Sequence, residues 1–246
     1  MQPLRRARRV AVLSDVHGNA VALAAVLAEV EREEPDLLVF GGDLTWGAEP
    51  MATYELAAAR AERSVFIRGN ADRALVGGAA ETDRERWMHE SHSPEARAFV
   101  ERFEKQAVVE IDGLGAVRFC HGSPRSDEEC VTPETPEERV REFMTDADER
   151  VLVTAHVHMQ FDREVAGVRS VNSGSVGLPY EARQGAYWAL LGPDVELRRT
   201  DYDVAGAFAA YRESGFPDPE QMVELLEQPP SRAEVIEDAE RRVFAG

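Results

Sequence analysis

Five times along the chain a short apolar run stops abruptly at a turn of Asp, Asn, Gly or His, and this repetition constrains the fold more than any other feature. Residues 10–13 run into Ser14-Asp15-Val16-His17, 36–40 into Gly41-Gly42-Asp43, and 65–67 into Arg68-Gly69-Asn70-Ala71-Asp72. Farther on, 116–120 meets His121-Gly122-Ser123-Pro124, and 151–154 meets Ala155-His156-Val157-His158. Short β-rich runs with such punctuation read as buried strands. Helical spacing over 20–30 and 50–63 separates the first three, giving β-α-β-α-β with short links. That order predicts parallel strands and right-handed crossovers, with ligand sites collecting at the carboxyl ends of the strands. Taken alone, the 14–19 turn is better explained as a helix cap, since Ser, Asp and Asn all favour that position. The later turns change the balance.

The remaining pattern is consistent with one mixed α/β unit. Residues 82–105 read as one or two charged helices lying as a cap over the strand ends, with Trp87 and Phe99 as buried contacts. Strands are expected at 108–111, 161–165 and 168–171, a helix at 136–148, and a hairpin from 186–191 and 195–200 about Gly192-Pro193-Asp194. From Val204 onward three short helices are expected, with no catalytic-looking cluster. The expected organisation is a domain over 1–202, a cap inserted at about 77–106, and a C-terminal helical arm over 203–246 packed on the same domain.

Composition excludes some functions. The formal net charge of −18 argues against a general nucleic-acid backbone binder, which needs a basic footprint. No apolar run approaches the roughly 20 residues of a membrane span. Arg5, Arg6, Arg8 and Arg9 precede the first strand rather than an apolar signal region, and read as a solvated basic leader. The two cysteines, Cys120 and Cys130, lack metal or disulfide spacing. Free thiols in a cytoplasmic protein are expected.

The strand-end turns together offer Asp15, His17, Asp43, Asn70, His121, His156 and His158, including four of the six histidines. Such a nitrogen and oxygen set suits Mn, Fe, Zn or Co better than Mg or Ca. Seven donors exceed one tetrahedral ion and suit two ions sharing a carboxylate, an arrangement that clamps both oxygens of a phosphoryl displacement.

In their order, Asp15-x-His17, Gly41-Gly42-Asp43, Gly69-Asn70, His121-Gly122 and His156-x-His158 resemble the five blocks of calcineurin-like metallophosphoesterases, over about residues 10–177. The Asn172–Gly177 loop, with its Gly-Ser-Val-Gly, is further similar to the small prokaryotic phosphodiesterase branch. The resemblance implies a four-layer α/β-β/α sandwich of two mixed sheets flanked by helices. It implies two divalent ions, manganese foremost, with iron, zinc, cobalt or nickel as alternatives. Asp15, His17 and His158 would hold one ion, Asn70, His121 and His156 the other, and Asp43 would bridge them. A hydroxide between the ions would attack phosphorus, making Asp43, Asn70 and His121 the residues taken as catalytic. One departure matters: where many members have a His after Gly-Asn, thought to protonate the leaving oxygen, this chain has Ala71, followed by Asp72, the acid that usually orients that His. Loss of general acid catalysis is worth about 10²–10⁴-fold. Phosphodiesters with good leaving groups are therefore the expected substrates.

Of Arg68, Arg73, Arg125 and Arg183, the sequence favours Arg73 and Arg125 as substrate contacts because each follows a ligand turn, and Tyr180 as a pocket residue. His89 and His92 read as solvent-facing, and Ser173 and Ser175 as turn residues. The expected partner is a small-molecule phosphate ester, with no membrane and, given the charge, little role for nucleic acid; the oligomeric state is open. Two other readings compete: a catalytically silent scaffold for protein partners, which Ala71 favours and the complete ligand set opposes, and a nuclease.

Overall fold

The computed structural model describes residues 5–78 and 80–242. Residues 1–4 of the basic leader, Ala79 of the cap region and residues 243–246 of the arm lie outside the described residues.

Strand β2 (Val10–Leu13) shows how the sequence makes a sandwich. Successive side chains on a strand point to opposite faces. Here Val10 and Val12 enter one buried cluster while Ala11 and Leu13 enter another, so both faces are covered. β2 pairs in parallel with β3 (Leu37–Phe40), and β3 with β4 (Ser64–Phe66). On its other side β2 meets the hairpin of β10 (Ala186–Leu191) and β11 (Val195–Thr200), giving the order β11-β10-β2-β3-β4.

The second sheet contains β1 (Arg5–Ala7), β5 (Gln106–Ile111), β6 (Gly115–Cys120), β7 (Val151–Thr154), β8 (Gln160–Val165) and β9 (Val168–Ser173). Its order is β1-β5-β6-β7-β9-β8. Val12, Val39 and Val65 of one sheet pack against Val109, Val117 and Val153 of the other. Outside the first sheet, α1 (Ala20–Glu33) and α2 (Pro50–Ala58) bury Leu23, Leu27 and Ala57. Outside the second, α6 (Glu137–Phe143) buries Val140 and Phe143. The result is the four-layer α/β-β/α architecture.

Four differences from the sequence reading have physical causes. The leader is not merely solvated: β1 pairs in parallel with β5, and Arg5, Arg8 and Arg9 find Glu104, Asp36 and Glu33. The turn after β4 is already the first turn of a helix, α3 (Asn70–Val76), because Asp72 sits where it caps the backbone of Gly69. The cap segment is two helices, α4 (Asp83–Ser91) and α5 (Pro94–Val100), that pack into the layer of α2 and α3 through Met88, Phe99 and Val100. His92 is consequently buried, donating from Nδ1 to Met88 O (2.7 Å) and accepting at Nε2 from Thr45 Oγ1 (2.9 Å).

The C-terminal helices are α7 (Val204–Glu213), α8 (Pro219–Glu227) and α9 (Arg232–Arg241). Tyr211, Met222 and Leu226 join the helix layer of the first sheet, whereas Ala239 joins that of the second. The Gln228-Pro229-Pro230 link therefore passes from one outer layer to the other. Arg232 ties α9 down by pairing with Glu181 (2.8 Å) and donating to Gln160 O (3.0 Å).

Candidate metal centre

The strand-end turns continue the sheet's hydrogen bonding past the strands themselves. Asp15 N donates to Gly42 O (2.9 Å) and His17 N to Asp43 O (2.9 Å), while Ala155 N donates to His121 O (2.8 Å). The 172–177 loop closes over them: Ser175 Oγ donates to Asp15 O (2.7 Å), and Asn172 Nδ2 to Ala155 O (2.7 Å). These ties hold the backbone in an uncommon shape. Asp15, His17, Asp43, His156 and His158 all have left-handed φ values, of 49°, 46°, 53°, 68° and 56°. Such conformations in residues other than glycine cost about 1–3 kcal/mol each and persist where the surroundings enforce them, often at functional sites.

The strain turns five side chains toward one another. His158 Nε2 lies 3.2 Å from Asp15 Oδ1 and 3.1 Å from His17 Nε2. His121 Nε2 lies 3.4 Å from Asp43 Oδ2 and 3.1 Å from Asn70 Oδ1. Asp43 Oδ2 is also 3.7 Å from His17 Nε2, so this carboxylate stands between the two groups. Two sets with donor atoms within 4.8 Å of one another result: Asp15, His17 and His158, and Asp43, His121 and His156. Asn70 adjoins the second through His121.

This donor set fits cations. His121 Nδ1 donates to Gly41 O (2.8 Å) and His158 Nδ1 to Leu178 O (2.7 Å), which fixes each ring's orientation and turns Nε2 toward the centre as the atom a cation would take. His158 Nε2 then faces another ring nitrogen and a carboxylate oxygen, a close set of donor atoms that a shared positive charge would hold together. Asp15 Oδ1 itself is buried with no hydrogen-bond partner, the kind of orphan that calls for an ion or a ligand.

Electrostatics tell the same story. Burial pushes Asp43 upward, but His121, His17 and His156 outweigh it and hold the carboxyl well below its usual range. Burial pulls His121 down, yet Asp43 and Asp15 raise it to about 10, whereas burial and then His121 lower His156 to about 4. The carboxylates thus retain charge in a buried place where only a strong cationic field would favour it.

Other expected residues are distributed unevenly. The Tyr180 ring stacks on His158 with centroids 4.7 Å apart, inside a cavity of about 1010 Å³ that also contains His17, Asp43, Asn70 and His156. Arg73 and Arg125 stand beside His121 in a separate cavity of about 210 Å³, but their charges are engaged by Asp127 and Glu128, and by Glu129. Arg183 is exposed. Ser14 and Ser173 hydroxyls bond each other at 3.0 Å, in keeping with loop-building roles.

Two contributions were missed from the sequence. Asp72, buried, accepts hydrogen bonds from the backbone N–H groups of Asp43 (2.8 Å), Leu44 (3.1 Å) and Gly69 (2.9 Å), and so clamps the Asp43 turn to the Asn70 turn. Gly69 itself has no room for a side chain, since a Cβ would fall 2.1 Å from Asp43 Oδ1. The large cavity's outer wall comes from α8, α9 and the link between them through Leu225, Pro229, Val235 and Ala239, with α4 and α5 contributing none of its lining.

Residues 9–192 match the family model of the calcineurin-like phosphoesterase superfamily domain. A metallophosphoesterase structure from Sphaerobacter thermophilus is 25% identical with a TM-score of 0.74, covering 90% of this chain and 100% of its own. Hypothetical protein PH1004 from Pyrococcus horikoshii OT3 shares the fold at 19% identity and a TM-score of 0.75, over 91% of this chain and 99% of its own. YfcE, a phosphoesterase from E. coli, shares it at 17% identity and a TM-score of 0.51, over 79% and 100% respectively. No curated protein sequence matches the chain.

Proposed function

We propose that this chain, which belongs to the calcineurin-like phosphoesterase superfamily, is a phosphodiesterase that hydrolyses small phosphodiesters with good leaving groups at a centre of two divalent ions. The supporting observation is the position of Asp43, whose Oδ2 stands 3.7 Å from the His17 nitrogen and 3.4 Å from that of His121, between the two donor groups. Asp15, His17 and His158 would hold one ion and Asn70, His121 and His156 the other, with Asp43 shared. The nitrogen and oxygen donors suit manganese, with iron, zinc, cobalt or nickel as alternatives. Bound ions would supply charge neutralisation at the phosphoryl oxygens and hydroxide near neutral pH.

The chain's own residues do the rest. Gly41 O and Leu178 O orient the His121 and His158 rings by accepting their Nδ1 protons, so the Nε2 donors need no reorganisation. The Ala71 N–H donates to Asp43 Oδ1 (2.9 Å), which leaves Oδ2 for the centre. Ala71 has no side-chain proton to give a departing alkoxide, so leaving groups that depart as stable anions are favoured. Tyr180 and the wall of α8 and α9 line a cavity large enough for a small organic ester. Among the described residues no helix is long and apolar enough to cross a membrane, and both cysteines are free and buried, which accords with the cytoplasm.

The test is hydrolysis of bis-(p-nitrophenyl) phosphate by protein loaded with Mn²⁺ or the alternative ions, against p-nitrophenyl phosphate. Turnover should require a divalent ion and favour the diester. Bound metal without turnover of either ester would refute the enzymatic reading and leave a scaffold.

A further inference from the structure

We infer that Arg68 and Lys105 form a second anion-binding subsite, beside the candidate metal centre, for a phosphate group other than the one under attack. Its service to a reaction rests on the phosphoesterase reading; its ability to bind an anion does not. The backbone places the two cations together. Ile67 and Glu104 form a parallel bridge just beyond β4, Arg68 N donates to Glu104 O (2.7 Å), and the next residue is Lys105. Both side chains line the cavity of about 210 Å³ whose wall includes His121 and Ser123. Arg68 directly precedes Gly69-Asn70, so this cavity adjoins the second donor group.

The charges there are unbalanced, which is unusual in a chain with a net charge of −18. Every nearby carboxylate already has a cation: Glu104 pairs with Arg5 (2.8 Å), Asp127 and Glu128 with Arg73, and Glu129 with Arg125. Arg68 and Lys105 have no ion pair among the described residues, and Arg68 Nε is buried with no hydrogen-bond partner. A buried guanidinium nitrogen without a partner is expensive. A phosphate matches a planar donor fork and an ammonium charge together. The ligand is therefore a phosphate oxyanion, either the second phosphate of a substrate or free inorganic phosphate.

Lys105 is exposed and is the only lysine in the sequence, so its acylation can be followed by peptide mass spectrometry. Full-length protein, both as purified and after chelation, is acylated in the presence of increasing inorganic phosphate. Phosphate should protect Lys105 in both preparations, and Arg68→Gln should need about tenfold more phosphate or above. No protection, or protection unchanged in Arg68→Gln, overturns the subsite. Calorimetric titration of the chelated Lys105→Glu variant, whose exposed site leaves folding intact, should show phosphate binding lost; binding equal to wild type also overturns it. The kcat/KM ratio of 3′-phosphorylated to unphosphorylated p-nitrophenyl thymidine 5′-phosphate identifies the source. A ratio that falls in Lys105→Glu assigns the subsite to the substrate's second phosphate, and a ratio that holds while wild-type protection persists assigns it to free phosphate. If neither ester turns over with any divalent ion but phosphate still protects Lys105, the phosphoesterase reading fails and the subsite stands.

Discussion

Replacing Asp72 with Ala removes the acceptor that joins two ligand turns. The carboxylate is 1% exposed and takes three backbone N–H groups, those of Asp43, Leu44 and Gly69, at 2.8, 3.1 and 2.9 Å. Each stranded buried donor costs about 1–3 kcal/mol. Because such losses are not additive and water can enter the space, a total of about 3–5 kcal/mol is expected. At about 2–4 °C per kcal/mol for a chain of this size, the melting temperature should fall by roughly 6–20 °C. Asp72→Asn should lose less, since an amide oxygen at the Oδ2 position still receives Asp43 and Gly69 and only the Leu44 N–H meets a donor. Calorimetric melting gives the stability, and competition against a chelating dye gives Mn²⁺ affinity. Affinity should fall in the same order, wild type above Asn above Ala, because Asp43 moves with its turn. An Ala variant within about 0.5 kcal/mol of wild type, with unchanged affinity, would show that Asp72 is a remnant of the missing His pair and not a clamp.

Three further outcomes follow from the same geometry. Asp43→Asn should abolish diester turnover and lower occupancy of both ions by elemental analysis, and an unchanged rate would refute the shared carboxylate. Burial holds His156 near 4 in the folded chain against 6.5 in the unfolded. As pH falls from 6.5 toward 4, the unfolded ring gains a proton that the folded ring refuses, so metal-free stability should decline across that window. The decline should flatten in His156→Gln; an identical pH dependence of melting would remove His156 as its cause. Ala71→His should raise the ratio of p-nitrophenyl phosphate to diester hydrolysis, up to the roughly 10²–10⁴-fold of general acid catalysis. A ratio that does not move would dismiss the leaving-group account.

The five turns were legible because their signal is local. A β-rich run followed by Gly, Asp, Asn or His states both the strand and its end, and the resemblance grouped the ends into ligand sets. Whatever depended on a distant partner was not legible. β1 is three residues whose pairing partner, β5, lies about a hundred positions away, so an Arg-rich strand reads as a leader. His92 directly follows a charged helix, and only the fold shows that it turns in to meet Met88 and Thr45. Arg73 and Arg125 were favoured for their nearness to ligand turns, but sequence cannot show that acids from 127–129 reach them first. The helical pattern of the C-terminal segment was visible, and what the buried face of α8 would cover was not.

The chemistry of position 71 explains why such a chain can dispense with the usual His there. Ala71 serves the centre through its main chain, by donating to Asp43 Oδ1, and any residue other than proline does the same. Loss of the side chain therefore leaves the carboxylate held, and on the proposed function what would disappear is proton donation to the leaving group. On the proposed function, an enzyme so altered would draw more of its rate from binding the remote parts of the substrate. The surroundings of the centre offer two unlike surfaces for that purpose. On one side is the large, partly apolar cavity that α8 and α9 close after the end of the matched family region at 192. On the other are Arg68 and Lys105, two cations with no carboxylate partner among the described residues. A substrate with an organic group at one end and a second phosphate at the other would use both, and its leaving group would then matter less.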